Sequence, residues 1–321
     1  MRTIDLDTLD IFCAVVKEGG IVKASDVLHR VQSNVTTRIK QLESRLGVAL
    51  FRRHGRSIAL TQEGQVLLQY AHRLLRLADE TDATLRSGRP CGTFRLGSLE
   101  STAGTRLPAL LSRYHRSYPD VTIELATGTS AALVKRVHEF EIEAAFVSEP
   151  FSAPGLHARP VFDEELVLIS TKDQKAITHP DDIGLCTLIA FANGCSYRKL
   201  LEEWIGRAKV MPVRVLEFAS YQAIIACVAA GTGVAIVPRS VLATLRSSVD
   251  VRQHELPERY RKNRTHLIWH GTASAALNGL MEMLDQKPPS SLAAPTRKPA
   301  LRLRSVAAGT PPAVSRRRGL L

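Results

Sequence analysis

The sequence predicts an α/β protein in three parts: an all-helical head with a small two-stranded wing, a long connecting helix, and a body of two α/β lobes. Three observations carry this reading. Three short runs with helical apolar spacing fall within the first 47 residues. One long run with three- and four-residue spacing covers residues 61 to 86. From residue 93 onward, short β-rich runs alternate with helical ones. A chain of 321 residues is too long for one small domain. With 45% apolar and 23% charged residues it matches a globular average, so a sizeable core is expected and a disordered or fibrous chain is excluded.

In the head, Leu6, Leu9, Cys13 and Val16 recur at helical spacing behind Asp5, which is placed to cap, and Gly19-Gly20 ends the run. A second helix is predicted over Lys23 to His29 with Ala24, Val27 and Leu28 inward. A third runs from Gln32 to Leu46, with Val35, Ile39, Leu42 and Leu46 on one stripe and Gly47 as C-cap. Ala49 to Arg52 and Ser57 to Leu60 then read as two short strands around a basic turn. The long helix from Thr61 to Arg86 follows, Thr61 capping it. Its stripe of Leu67, Tyr70, Leu74, Leu77, Thr81 and Thr84 has the spacing of a coiled-coil seam, which calls for a partner helix.

Gly88 to Gly92, with Pro90, reads as a linker. Strands are expected at 93–98, 121–126, 143–147, 165–170, 187–190, 213–218, 233–237 and 265–270, and helices at 105–117, 130–138, 196–206, 220–230 and 274–285. Alternation of this kind implies parallel sheets covered by helices, and two such sets imply two lobes around a cleft. Ligands of such sheets bind at the carboxyl ends of the strands. From Lys287 the chain is rich in Pro, Ser and Ala, has no acidic residue and is expected to be disordered. The domains are therefore read as 1–60, 61–90, 91–286 and the tail 287–321.

The formal charge of +12 is unevenly placed. Residues 1–60 hold 10 basic and 6 acidic residues, 61–90 hold 4 and 4, 91–286 hold 21 and 21, and 287–321 hold 8 and none. A basic head on a neutral body points to a polyanionic partner such as nucleic acid. The acidic start MRTIDLDTLD lacks the features of a secretory signal, so a cytoplasmic protein is expected. The uncharged stretch from Phe218 to Pro238 is interrupted by polar residues and glycines, so no membrane span is expected. Five scattered cysteines without a C-x-x-C pair indicate neither a disulfide framework nor a zinc site.

Enzyme readings find little support. No G-x-S-x-G, P-loop or H-E-x-x-H motif is present, and the ten histidines show no metal-ligand spacing. Gly231-x-Gly233 follows a helix and opens a strand, the reverse of the dinucleotide fingerprint. A solute-binding transport protein would need an export signal and would not need the head.

On the third helix, Ser33, Thr36, Thr37, Lys40 and Ser44 lie opposite the apolar stripe, leaving a polar face that fits a DNA major groove. Gln32 and Asn34 carry carboxamides, which can pair with adenine N6 and N7. Arg52, Arg53, His54 and Arg56 gather on the wing, suited to phosphates or a narrow minor groove.

The segment Ala24 to Gly64, reading AxxxLHxxQSxVTxRIxxLExxLGVxLFxRxGRxxxLTxxG, resembles the winged helix-turn-helix of LysR-type transcriptional regulators. The order of head, long helix and two-lobed body over residues 1–286 is similar to that family's, whose body is like the type II periplasmic binding proteins. The resemblance implies double-stranded promoter DNA, RNA polymerase and a small-molecule effector of unknown identity as partners. It implies no other cofactor, no membrane, and self-association as a dimer or tetramer. By position it places Gln32, Thr36 and Thr37 at base contacts and Arg38 and Arg56 at the backbone or minor groove. Ser33 and Asn34 stand where the family commonly has Pro and Ala, and Ser25 replaces a usual alanine, which bears on the operator sequence.

For the cleft, Ser98 to Thr102 and Gly128 to Ser130 each join a strand to a helix, presenting hydroxyls and N–H groups at helix N-termini. The resemblance puts Ser101 and Thr129 at effector contacts. Thr102, Ser148, Ser196, Tyr197 and Ser220 are candidates to complete the ring. Glu100 is open to three roles: opposing a carboxylate effector, binding an amine, or pointing away. Cys195, in a strand-to-helix turn, is expected as a pocket-lining or buried thiol rather than a redox sensor.

Overall fold

The structure, a computed structural model, describes residues 4–54, 57–87, 90–184, 187–210, 212–245 and 250–286. The wing turn at Gly55 and Arg56, Cys186 and the tail from Lys287 lie outside the described residues. Helix α1 (Leu6–Glu18) begins where Asp5 accepts both the N–H and the hydroxyl of Thr8, each at 2.8 Å. Its buried residues are Thr8, Leu9, Ile11, Phe12 and Val15. Of the expected stripe Leu9 is buried, Cys13 and Val16 lie half-buried at the edge of the core and Leu6 is exposed, so the covered face is centred one position earlier, because three- and four-residue spacing is satisfied by two adjacent faces. Packing selects the one that sets Phe12 against Phe51 at 5.3 Å between ring centroids. Helix α2 (Ile21–Val27) starts and ends two residues earlier than expected. It is over before His29, whose φ of 51° is not helical, and Val27 points outward while Ala24 is buried. Helix α3 (Gln32–Leu46) has the expected bounds, with Val35, Ile39 and Leu42 buried and Leu46 half-buried.

Strands β1 (Phe51–His54) and β2 (Ser57–Leu60) form the antiparallel wing. The first starts later than Ala49 because the preceding backbone is committed elsewhere: Glu43 Oε1 accepts the N–H of Leu50 at 2.8 Å and of Phe51 at 3.2 Å. Helix α4 (Gln62–Ser87) is tied to the same segment. Thr61 Oγ1 donates to the Ala49 carbonyl at 2.7 Å and accepts the Gly64 N–H at 3.0 Å. A Cβ at Gly64 would stand 2.2 Å from the Leu50 carbonyl oxygen, so only glycine lets the first turn of α4 lie this close. The seam of α4 divides in two. Leu67 and Ala71 join the head core, whereas Tyr70 (55% exposed), Leu74 and Leu77 (60% exposed) face outward, with Thr81 exposed beyond them and Thr84 further along the helix.

The body begins with β3 (Gly92–Ser98), which pairs in parallel with β4 (Val121–Thr127) and β5 (Ala144–Ser148). The single helix expected over 105–117 is two, α5 (Glu100–Thr105) and α6 (Leu107–Ser117). They break at Arg106 because Pro108 has no N–H to bond back into the preceding turn. Helix α7 (Ser130–His138) returns the chain to β5. Phe146 of β5 packs on one face of the sheet with Phe94, Leu107 and Leu280, and Ala145 and Val147 pack on the other with Leu133 and Val137. Burial on both faces explains the uninterrupted apolar run of this strand.

Strand β6 (His157–Thr171) is far longer than the expected 165–170. Its first half pairs antiparallel with β11 (Lys262–Trp269) in the first lobe, with a bulge that accommodates Pro160. Its second half lies between β9 (Ala235–Pro238) and β10 (Val251–Glu255) in the second lobe. The body is thus mixed rather than all parallel, because the chain must go out along one strand and return along another running the opposite way. The second lobe also holds β7 (Thr187–Ala190) and β8 (Arg214–Glu217), a parallel pair. Helices α8 (Ser196–Arg207), α9 (Tyr221–Ala229), α10 (Arg239–Thr244) and α11 (Glu258–Arg261) surround them, and α12 (Ala275–Asp285) closes the first lobe. Helix α10 and strand β10 were not anticipated. A Cβ at Gly233 would stand 2.0 Å from the Thr187 carbonyl oxygen, so this glycine serves strand approach, which accounts for the Gly231-x-Gly233 pattern without a nucleotide.

Where β6 changes sheets, Glu164 is buried and doubly bonded: Arg106 of the first lobe reaches it at 2.8 Å and Ser240 of the second at 2.8 Å. No helix among the described residues is long and apolar enough to cross a membrane. The Gly64 contact yields an expectation. Gly64→Ala forces α4 off the Leu50 carbonyl and lowers stability by about 1–3 kcal/mol, an overpacking cost, read from the urea midpoint of the full chain. An unchanged midpoint contradicts the close approach.

Candidate functional site

Two surfaces bear on function. The first is the outward face of α3. Gln32, Ser33, Asn34, Thr37 and Lys40 are all exposed on it, opposite Val35, Ile39 and Leu42. Thr36 is half-buried, and its hydroxyl donates to the Gln32 carbonyl at 2.9 Å, which leaves its lone pairs to face outward. Arg38 is drawn toward Asp7 at 3.7 Å, beside the Arg30–Asp7 pair at 2.6 Å, so its charge is shared with α1. Arg52 is exposed on β1, Arg53 pairs with Ile58 across the wing, and Arg56 lies outside the described residues. Glu43, which sequence reading passed over, fixes the wing to α3 through the Leu50 and Phe51 N–H groups and so sets where Arg52 stands.

The second is a cleft between the lobes, lined by Leu99, Glu100, Ser101, Gly128, Thr129, Ser148, Phe191, Cys195, Ser196, Tyr197 and Tyr221. Six of the eight candidates meet here: Glu100, Ser101, Thr129, Ser148, Ser196 and Tyr197. Thr102 does not. It is buried on α5 and is not part of the cleft lining. Ser220 does not either; it is the N-cap of α9, and the next residue, Tyr221, takes its place in the wall.

Several of these hydroxyls are spent on holding the lobes together. Ser196 Oγ donates to the Ser148 carbonyl at 2.6 Å and lies 2.9 Å from Ser130 Oγ, which in turn accepts the Ser148 N–H at 3.1 Å. Ser148 Oγ bonds Asn263 Oδ1, and Asn263 Nδ2 donates to the Glu149 carbonyl at 2.7 Å. Gly194, with φ of 92°, brings its carbonyl to the Ala131 N–H at 3.2 Å; a Cβ there would strike Ala131 at 2.8 Å. Tyr197 is 4% exposed, and its hydroxyl, with no hydrogen bond of regular geometry, stands near Ser101 and Ser148. Burial holds the Tyr197 and Tyr221 phenols neutral, well above their ordinary range. Burial also raises the Glu100 carboxyl, opposed by the hydrogen bond it accepts from the Tyr221 N–H.

Residues 6–65 match the bacterial regulatory helix-turn-helix protein, lysR family, and residues 87–288 match the LysR substrate binding domain. The chain belongs to the LysR family of transcriptional regulators. It is 37% identical over 258 residues to the HTH-type transcriptional regulator GltR of Bacillus subtilis, covering 80% of this chain and 87% of that protein. It is 34% identical over 283 residues to the HTH-type transcriptional regulator SoxR of an Arthrobacter species, covering 88% and 96%. Among solved structures it resembles full-length CbnR complexed with its target DNA, with a TM-score of 0.61, 26% identity and coverage of 88% and 99%. Full-length OxyR from Pseudomonas aeruginosa shares the fold, with a TM-score of 0.66 at 20% identity over 88% and 94%.

This LysR-type regulator therefore has a DNA-binding helix-turn-helix and an effector-binding domain. Sequence reading missed Phe191 and Tyr221 in its cleft. The only available signal was their place at strand-to-helix junctions, where hydroxyl residues drew the attention. Cys195 is buried, and burial pushes its thiol up against the lowering effect of the Arg198 and Tyr197 N–H groups and of the Arg198 charge. A thiol so placed is a poor nucleophile. Iodoacetamide at pH 7 is expected to label Cys195 at least about tenfold more slowly in the native chain than in urea, followed by peptide mass spectrometry. Equal rates would overturn the buried-thiol reading.

Proposed function

We propose that the heads of a self-associated assembly, dimer or tetramer, bind successive half-sites of an imperfect palindrome. A small molecule held between the lobes then alters head spacing, DNA bend and access of RNA polymerase. The observation that carries this reading is the double attachment of α4. Gly64, Leu67 and Ala71 lock its start into the head. Further on, His72 Nδ1 meets the Glu139 carbonyl at 3.0 Å, and the Arg73 and Arg76 guanidinium groups lie over the Phe140 ring at 5.0 and 5.9 Å. Glu139 and Phe140 directly follow α7, whose opposite end starts at Ser130, the residue bonded to Ser196 of the second lobe. Helix α7, about 13 Å long, thus spans from the cleft to the linker helix. A change in lobe closure at Ser196 is carried by a rigid element to the helix that positions the head.

The exposed Tyr70, Leu74 and Leu77, at coiled-coil spacing, support self-association along α4. The DNA complex of the similar chain CbnR supports docking of α3 against DNA. In the proposed interface Gln32, Ser33, Asn34, Thr36 and Thr37 face base edges, while Arg38, Lys40, Arg52, Arg53 and Arg56 serve phosphates or the minor groove. Glu100, Ser101, Thr129, Ser148, Ser196 and Tyr197 are proposed effector contacts, joined by Phe191 and Tyr221.

Two substitutions separate base reading from charge. Gln32→Ala is expected to weaken operator binding by about 1–3 kcal/mol while leaving random DNA nearly unaffected, in fluorescence anisotropy titrations of both. Equal loss on both would remove Gln32 from base reading. Arg52→Ala is expected to reduce the slope of log K against log salt by about 1 on both DNAs. An unchanged slope would remove Arg52 from the phosphate contacts.

A further inference from the structure

Four helices begin at the cleft, α5, α7, α8 and α9, and helix starts favour bound anions through free N–H groups and the helix dipole. Only one of them is closed by its own N-cap side chain: Thr129 Oγ1 accepts the Ala132 N–H on α7 at 3.3 Å. At α8 the N-cap is the buried Cys195, which makes no cap hydrogen bond. The Glu100 carboxylate, reaching across from the first lobe, accepts the Tyr221 N–H on α9. An acidic side chain therefore stands in the wall of the cleft, where it opposes a carboxylate ligand.

Nothing nearby offsets it. The cleft is lined by no Lys, Arg or His among the described residues. Arg198 is bound by Glu202 at 2.7 Å and Glu217 at 2.5 Å, and Lys199 belongs to a separate groove beyond the Cys195–Ser196 turn. What remains in the walls attracts cations. Phe191 and Tyr221 meet edge to face at 4.8 Å between centroids, Tyr197 is the third ring, and aromatic faces bind ammonium groups. The Tyr197 hydroxyl, buried and without a regular hydrogen bond, adds an acceptor alongside Ser101 and Ser148. An ammonium presents only donors and a carboxylate only acceptors; the hydroxyls of this wall can serve either, whereas Glu100 and the π faces favour the ammonium.

We propose that the effector carries an ammonium group, held between the Glu100 carboxylate and the rings of Phe191, Tyr197 and Tyr221. This assignment rests on the cleft being the effector site. The effector is an organic amine or quaternary ammonium, the class that an acidic side chain beside aromatic rings can hold. Because Glu100 belongs to one lobe and Tyr221 to the other, a cation drawn to Glu100 competes with the lobe-bridging bond and so acts on closure directly.

Full-length protein is to be titrated with tetramethylammonium, choline, ethanolamine and putrescine, and separately with acetate and succinate. Each titration is run against sodium chloride at matched ionic strength, reading the melting temperature and tryptophan fluorescence. At least one ammonium probe is expected to give a saturable shift, while the carboxylates give none. Glu100→Gln and Tyr221→Leu are each expected to weaken that binding about tenfold or more, with Glu100→Asp retaining part of it. Circular dichroism checks that every variant is folded. Saturable carboxylate binding that is lost in Tyr197→Phe, with no ammonium binding, would overturn the ammonium assignment and keep the cleft as effector site. Ammonium binding unchanged in both Glu100→Gln and Tyr221→Leu would place the ligand elsewhere and overturn the assignment together with that use of the cleft. No saturable shift from any ammonium probe would overturn the assignment as well.

Discussion

Glu164 sits inside β6 where that strand leaves the sheet of one lobe and enters the sheet of the other, and the two-lobed body depends on it. A buried carboxylate without partners costs several kcal/mol, so the strand can cross there only if both lobes supply donors. Arg106 comes from the break between α5 and α6, and Ser240 comes from α10. Around the same crossing, Arg239 and Arg261 bind Glu165 and Glu255 on neighbouring elements. These contacts set the angle at which the lobes meet, and the cleft is the space left between them.

The cleft inherits its chemistry from that arrangement. Closing two lobes brings helix starts from both into one small volume, each with unsatisfied N–H groups. In this regulator Thr129 takes up one of those donors, and Glu100 of the first lobe stands close to the start of α9. The lobe contact through Ser196, Ser130 and Ser148 is hydrogen-bonded rather than apolar, which suits a joint that must open, since such bonds exchange with water at little net cost. Helix α7 then connects this joint to Phe140, whose φ of 57° turns its ring out onto the linker helix.

Legibility followed the range of the interactions. Helix α3 and its reading face were recoverable because its stripe, its length and Gly47 agree. The bounds of α1 were likewise set by Asp5 and Gly19, yet its buried side was misplaced by one residue, since only the wing's Phe51 decides which face is covered. Among the cleft candidates, six came together because strand-to-helix turns of α/β sheets converge at one edge. Thr102 failed because it is buried in α5, outside the cleft lining, and burial of a threonine one position along a helix has no local signature. Tyr221 was missed because burial of an aromatic at a helix start has no local signature.

The sequence alone determined the order of parts, the helix-turn-helix with the polar face of α3, the uneven placement of charge and the family, because these rest on local spacing and on a motif within one short segment. Tertiary structure decided that the sheets are mixed, that Leu67 of the α4 seam is taken up by the head core, and that Glu100 lines the cleft rather than pointing away. Each of those turns on residues far apart in the chain: β6 against β11, Gly64 against Leu50, Glu100 against Tyr221. Whether a charge opposes a ligand or receives one depends on what already occupies the opposite wall, and no periodicity within one segment carries that information.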